Sequence, residues 1–259
     1  MFTFKDYARY YDLLYRDKDY RGEVDFVNSL IKKYTPGAKS ILELGCGTGG
    51  HAEHLVKRGF AVHGIDISDD MLRMAERRYK GFPPELKAKT NFEKRDVRTA
   101  RLGRKFDIVL SLFDVMSYQL SNNDLISAFL TAKEHLNDGG VFIFDCWYGP
   151  GVLTDPPTTR FKEIEGEDIV VTRIAEPTIH IHDNIVDVNY NIFIRNKSTQ
   201  LVEEIREKHC MRYLFYPEVE MILSTVGFEV ISFLEFMKNE KPGEGAWNAC
   251  FVCKVCESG

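Results

Sequence analysis

Hydrophobic and polar positions change rhythm along the chain. Val24, Phe26, Val27, Leu30 and Ile31 recur at helical spacing within residues 24–33, and Pro36-Gly37 closes that segment. From Ser40 onward, short apolar runs alternate with amphipathic stretches. The runs at 41–44, 61–65, 90–94, 107–112 and 141–144 predict strands, and those at 50–58, 69–79 and 123–136 predict helices. Ser68 is a good N-cap for the middle helix, with Asp69 and Asp70 in its first turn. Asn137-Asp138-Gly139-Gly140 reads as the stop of the last one. Strands separated by helices imply right-handed βαβ units and a parallel sheet.

The pattern changes after Pro150. Residues 161–164, 169–181, 185–194 and 201–213 alternate apolar and polar positions with turns between them and no helices, which predicts an antiparallel meander with one solvated face. A helix at 218–225 follows, opened by Pro217 and ended by Gly227, and then strands at 228–236 and 249–255. The whole fits one domain, residues 1–259, with a helical N-terminal segment (1–36) and an inserted sheet (151–215).

Composition adds constraints. The net charge of −5 argues against a nucleic-acid partner, because tracking phosphates needs clustered Lys and Arg. No apolar run reaches the length of a membrane helix, and the first residues lack the order of a signal peptide, so a cytoplasmic location is expected. Cys250, Cys253 and Cys256 lie three apart in a strand-like context, where neighbours face opposite sides; they are read as core thiols, and no metal is expected. The meander's apolar alternation leaves room for a homodimer edge.

The chemistry centres on Glu43-Leu44-Gly45-Cys46-Gly47-Thr48-Gly49-Gly50, directly after the first predicted strand. Glycines there allow positive φ and a ligand's close approach to the backbone. Gly45, Gly47 and Gly50 also satisfy the dinucleotide fingerprint, so an oxidoreductase is a rival reading. Glu43 argues for a cationic ligand, since a pyrophosphate would be repelled by it. Asp66, after the second strand, is placed to accept ribose hydroxyls, and Asp96, after the third, to accept from an adenine amino group.

Together these residues resemble the motifs of class I S-adenosylmethionine-dependent methyltransferases. The resemblance implies an α/β, Rossmann-like, mostly parallel seven-stranded sheet with helices on both faces, the meander covering the active site, and S-adenosyl-L-methionine as cofactor. It implies contacts from Glu43, Gly45, Cys46, Gly47, Asp66, Ile67, Met71, Asp96 and Val97, with Met71 packing on adenine. The segment 110–118 lacks the Asn-Pro-Pro-Tyr type motif of several macromolecular subfamilies. Within the family the chain looks most like small-molecule N-methyltransferases such as the TDP-aminosugar N,N-dimethyltransferases.

That likeness implies that the N-terminal segment is a lid, with Tyr11, Tyr20 and Leu112 at the cofactor's methionine end. It implies that Tyr7, Ser117, Trp147 and Tyr148 meet the acceptor. Ser117-Tyr118 stands where those enzymes carry a Gly-His pair, a departure that makes Tyr118, or Asp114 beside it, the candidate to orient an amine or take its proton. His135, His180, His182 and His209 read as structural or exposed. The expected reaction is in-line methyl transfer to a small-molecule amine. O- or C-methylation of another metabolite, a protein or RNA acceptor, and a non-catalytic cofactor-binding partner stand as alternatives.

Overall fold

A computed structural model describes residues 8–256. Seven strands form the larger sheet: β1 (Ser40–Leu44), β2 (Ala61–Asp66), β3 (Thr90–Lys94), β4 (Phe106–Ser111), β5 (Leu136–Trp147), β10 (Phe228–Glu235) and β11 (Asn248–Val255). Their order is β10-β11-β5-β4-β1-β2-β3. The first five pair in parallel, and β11 runs antiparallel to both β5 and β10. The intervening strands β6 (Arg160–Glu165), β7 (Ile169–His180), β8 (Ile185–Asn196) and β9 (Val202–Arg212) form a separate antiparallel meander. Both sheets match the sequence reading.

Alternation along the buried strands sends successive side chains to opposite faces. Leu42, Val109, Phe142, Phe144 and Phe251 pack against α5 (Asn122–Glu134) and α6 (Tyr216–Thr225). Ile41, Ile108, Leu110, Val141 and Ile143 pack on the other side against α2 (Tyr20–Tyr34) and α3 (Gly50–Lys57). Cys250 lies in this second core and Cys253 in the first, so the strand does hold them on opposite faces. No helix among the described residues is long and apolar enough to cross a membrane.

Two boundaries differ from the sequence reading. Helix α2 begins at Tyr20 and not near Val24, because the Asp19 carboxylate caps it by accepting from the Gly22 N–H at 2.8 Å. Strand β5 begins at Leu136, before the glycines expected to be a turn. A register shift against β4, between Phe106 and Ile108, absorbs the extra residues, and Gly139 supplies a φ of +76°.

The meander is anchored at two places. Tyr10, Tyr11 and Leu14 of α1 (Ala8–Leu14) pack between Met71, on α4 (Asp69–Tyr79), and the meander residues Ile164, Val171, Ile192, Ile194 and Ile205. Beyond the end of β5, Val152 packs with Val186, Val188 and Tyr213, against which Trp147 and Trp247 lie. The smaller sheet thus roofs the carboxyl ends of the parallel strands, where open α/β sheets bind ligands.

Candidate active site

The chain leaves β1 through three glycines with positive φ, and two of them show why glycine is needed. At Gly45 (φ +72°) a Cβ would lie 2.5 Å from Val115, so any side chain is excluded. At Gly47 (φ +53°) a Cβ would meet nothing within 4 Å and would project into open space. Asp66, at the end of β2, braces this turn: its carboxylate accepts from the Gly47 N–H at 2.9 Å and from the Ser68 N–H at 2.9 Å. Burial pushes the Asp66 pKa up against these hydrogen bonds, which favour the charged form. Each carboxylate oxygen keeps a second lone pair for a ligand.

Gly45, Gly47 and Asp66 lie on the wall of a cavity of about 430 Å³. Ile67, Met71, Asp96 and Val97 continue the wall at this end, and Tyr11 and Leu112 line it further along. Asp114, Tyr118 and Trp147 line the opposite end. Twelve of the residues singled out from sequence therefore share one cavity. The Asp96 carboxylate is forked by the Arg98 guanidinium, at 3.0 Å from Nε to Oδ1 and 2.6 Å from the terminal nitrogen to Oδ2, which holds its pKa down.

The other candidates sit behind that wall. Glu43 is buried with Oε1 3.5 Å from His51 Nδ1, and His51 Nε2 lies 2.6 Å from Glu23, which also pairs with Lys18. Burial alone would push the His51 pKa down; the two carboxylates outweigh it and raise it to about 9, so His51 is a cation. Tyr20 packs edge-on against His51, over Gly50, and shares a hydrogen bond with Tyr11. The Cys46 side chain turns into the sheet over Gly64. Ser117 is fully buried and its Oγ accepts from the Trp147 N–H at 2.9 Å, so it holds the end of β5 in place. Tyr148 packs against Phe233, away from the cavity. Tyr7 lies outside the described residues.

At the far end, Phe113 and Asp114 follow β4 with φ of +66° and +63°. Two successive non-glycine residues in this region store strain that the surroundings must hold. Asp114 N–H donates to Asp145 Oδ1 at 3.1 Å, and its own carboxylate accepts from Asn248 at 2.9 Å. Next to them the Tyr118 hydroxyl lies 2.8 Å from His209 Nδ1, and His209 Nε2 lies 3.2 Å from Glu207. His209, on β9, is buried and lines the cavity, so of its two sequence readings, structural or exposed, the second does not hold.

A protein-family model described as a methyltransferase domain matches residues 41–140. Along most of its length the chain is similar to curated enzymes of Streptomyces. One, a dTDP-3-amino-3,4,6-trideoxy-alpha-D-glucopyranose N,N-dimethyltransferase of Streptomyces venezuelae, is 28% identical over 93% of this chain and 95% of its own. The sugar N-methyltransferase KedS8 from Streptoalloteichus superposes with a TM-score of 0.80 at 26% identity, over 95% of this chain and 93% of the other.

The chain is an S-adenosylmethionine-dependent methyltransferase.

Two observations in the methyltransferase fit its cofactor. Gly47 leaves open the space that a Cβ would take. Glu43 Oε2 is buried without a hydrogen-bond partner among the described residues, an acceptor suited to a ligand ammonium. At the Tyr118 end of the cavity burial pushes both the Asp114 and Asp145 carboxyls up, Asp114 to about 7. Burial pushes the His209 imidazole down despite the Glu207 carboxylate, and it pushes the Tyr118 phenol well up. A neutral imidazole therefore faces a protonated phenol. Tyr15 also lines the wall, and Arg98, Phe113, Val115, Gln119, Tyr190, His209 and Met211 complete it without having been read as site residues from sequence. For His209 a signal existed: Tyr118 leaves an imidazole missing where the sugar enzymes have one.

Proposed function

We propose that this methyltransferase methylates the amine of a small nucleotide-linked aminosugar. The observation that carries the reading is one cavity whose two ends differ in chemistry: backbone and carboxylates at Gly47 and Asp66, aromatic and proton-accepting groups at Tyr118, Trp147 and His209. Its volume falls in the range of small-molecule sites. The amine reading is also supported by the Streptomyces relatives, two of which are named as dTDP-aminosugar N,N-dimethyltransferases; the second, from Streptomyces fradiae, is 26% identical over 92% of this chain.

In this reading Asp66 holds the ribose hydroxyls and Asp96 the adenine amino group, with Ile67, Met71 and Val97 against the base. Tyr11 and Leu112 border the methionine end, and α1 with the segment before α2 acts as a lid. When bound, S-adenosylmethionine supplies an electrophilic methyl group on a sulfonium leaving group. The residues of the chain hold the acceptor nitrogen in line with it, an effect worth up to roughly 7–11 kcal/mol in favourable systems. The meander roof excludes water, and Tyr118 with Asp114 orients the amine.

The test is release of S-adenosylhomocysteine on incubation with dTDP-aminosugars, simple amines, phenols and bulk RNA. Turnover on the aminosugars is expected. Silence on sugars with turnover on a phenol would discard the amine and make O-methylation the reading.

A further inference from the structure

We propose that His209 serves as a positioning residue, taking through Tyr118 the proton that an acceptor ammonium must lose before it can be methylated. The inference rests on the amine reading above. It arises from three side chains in line across two sheets: Tyr118 after β4, then His209 and Glu207 on β9.

The direction of the line follows from what each group can do. A carboxylate only accepts hydrogen bonds, so Glu207, 3.2 Å from Nε2, fixes the imidazole proton on that nitrogen. Nδ1 then presents a lone pair, and the Tyr118 hydroxyl, 2.8 Å away, donates to it. Tyr118 lies on the wall of the cavity with Asp114, and a phenol oxygen can accept a hydrogen bond as well as donate one. An ammonium seated there gives a proton to the Tyr118 oxygen while Tyr118 passes its own proton to His209 Nδ1. The products are a neutral amine and an imidazolium facing Glu207. The freed nitrogen lone pair then forms the N–C bond as the S–C bond breaks, its electron pair staying on sulfur. The same path in reverse returns the proton to water once product has left.

The surroundings support a base that is neutral at rest. Among the described residues, the groups facing the imidazole are Tyr118 from the turn after β4, Tyr190 from β8 with ring centroids 4.9 Å apart, Arg173 from β7 and Glu207 from β9 itself. Tyr15 and Asp114 lie one layer further out, acting on Tyr118. Arg173 and burial favour the neutral form, and Glu207 favours the charged one. The phenol stays protonated at rest, because burial and its neighbours all oppose a phenolate, so it conducts a proton and does not store one.

The alternative is that Tyr118 and His209 only pin the meander to the larger sheet. His209→Gln separates the two, since a glutamine carbonyl still accepts from Tyr118 but cannot take a proton. With a dTDP-aminosugar as acceptor, His209→Gln is expected to lower kcat by about 10²-fold, with melting temperature and cofactor affinity unchanged. Glu207→Gln removes the carboxylate that raises the His209 pKa, so the acid limb of the kcat–pH profile is expected to move to lower pH. An unchanged kcat in His209→Gln, or superimposable profiles for Glu207→Gln and wild type, overturns the relay and leaves the amine reading standing. Absence of aminosugar turnover in the wild-type enzyme, with cofactor binding intact, overturns the amine reading and the relay with it.

Discussion

The two ends of the cavity come from different kinds of assembly. At the end proposed for the cofactor, Gly45, Asp66 and Asp96 follow β1, β2 and β3 in order, and each is set by its own strand and by hydrogen bonds to residues close in sequence or on the neighbouring strand. At the end proposed for the acceptor, Tyr118 and His209 meet from elements 91 residues apart, one after a strand of the larger sheet and the other on the meander. Local backbone geometry holds one end, and side chains in tertiary contact hold the other. The first arrangement tolerates little change at any position. The second admits substitutions that alter what is bound while the scaffold stays folded.

The sharpest test of that contrast lies in the glycine turn. Gly45→Ala combines a positive φ, costing about 1–3 kcal/mol, with a Cβ 2.5 Å from Val115. It is expected to lower the melting temperature by about 2–4 °C for each kcal/mol lost. Gly47→Ala has open space and loses roughly 1–2 kcal/mol of stability, yet fills the cavity, so its main effect is expected in cofactor affinity. Equal loss of stability in both variants, by thermal melts, would break the distinction.

Next in size is Asp66→Ala, which removes an acceptor for two backbone N–H groups as well as the proposed ribose contact. A loss of roughly 1–3 kcal/mol in cofactor binding is expected, read by calorimetric titration. Unchanged affinity would take Asp66 out of the cofactor site. The smallest effect belongs to the acceptor end. Trp147→Phe keeps an aromatic face toward the cavity, and it is expected to raise the acceptor KM by roughly tenfold while leaving the cofactor Kd alone. A parallel loss of cofactor affinity would show that the two ends are not separable.

The same contrast explains what sequence could disclose. The strands of both sheets, the glycine turn and Asp66 were legible because hydrophobic period and spacing encode local geometry. Glu43 was legible as a carboxylate near the turn, but its partnership with His51 depends on how α2 and α3 dock on the sheet. His209 was missed for a similar reason. Its pairing opposite Val188 sets which face of β9 it occupies, and only the docking of the meander turns that face toward Tyr118. Alternation told which residues share a face, not which face meets the cavity. Ser117 and Tyr148 show the converse: resemblance to the sugar enzymes placed them at the acceptor, while one is consumed in bracing β5 and the other packs elsewhere.

The place of β11 in the larger sheet bears on how the protein is made. It is the last strand in the chain, yet it lies between β5 and β10, with Cys250 opposite Asp145, about a hundred residues earlier. During synthesis, therefore, β5 emerges with one side unpaired and must wait for those residues, among them the whole meander, before its partner arrives. Such long-range pairing slows folding and leaves an apolar edge open to other chains meanwhile. The strand that ends in Asp145 and Trp147 is thus the segment most exposed to aggregation in the newborn chain, and chaperone demand should concentrate there.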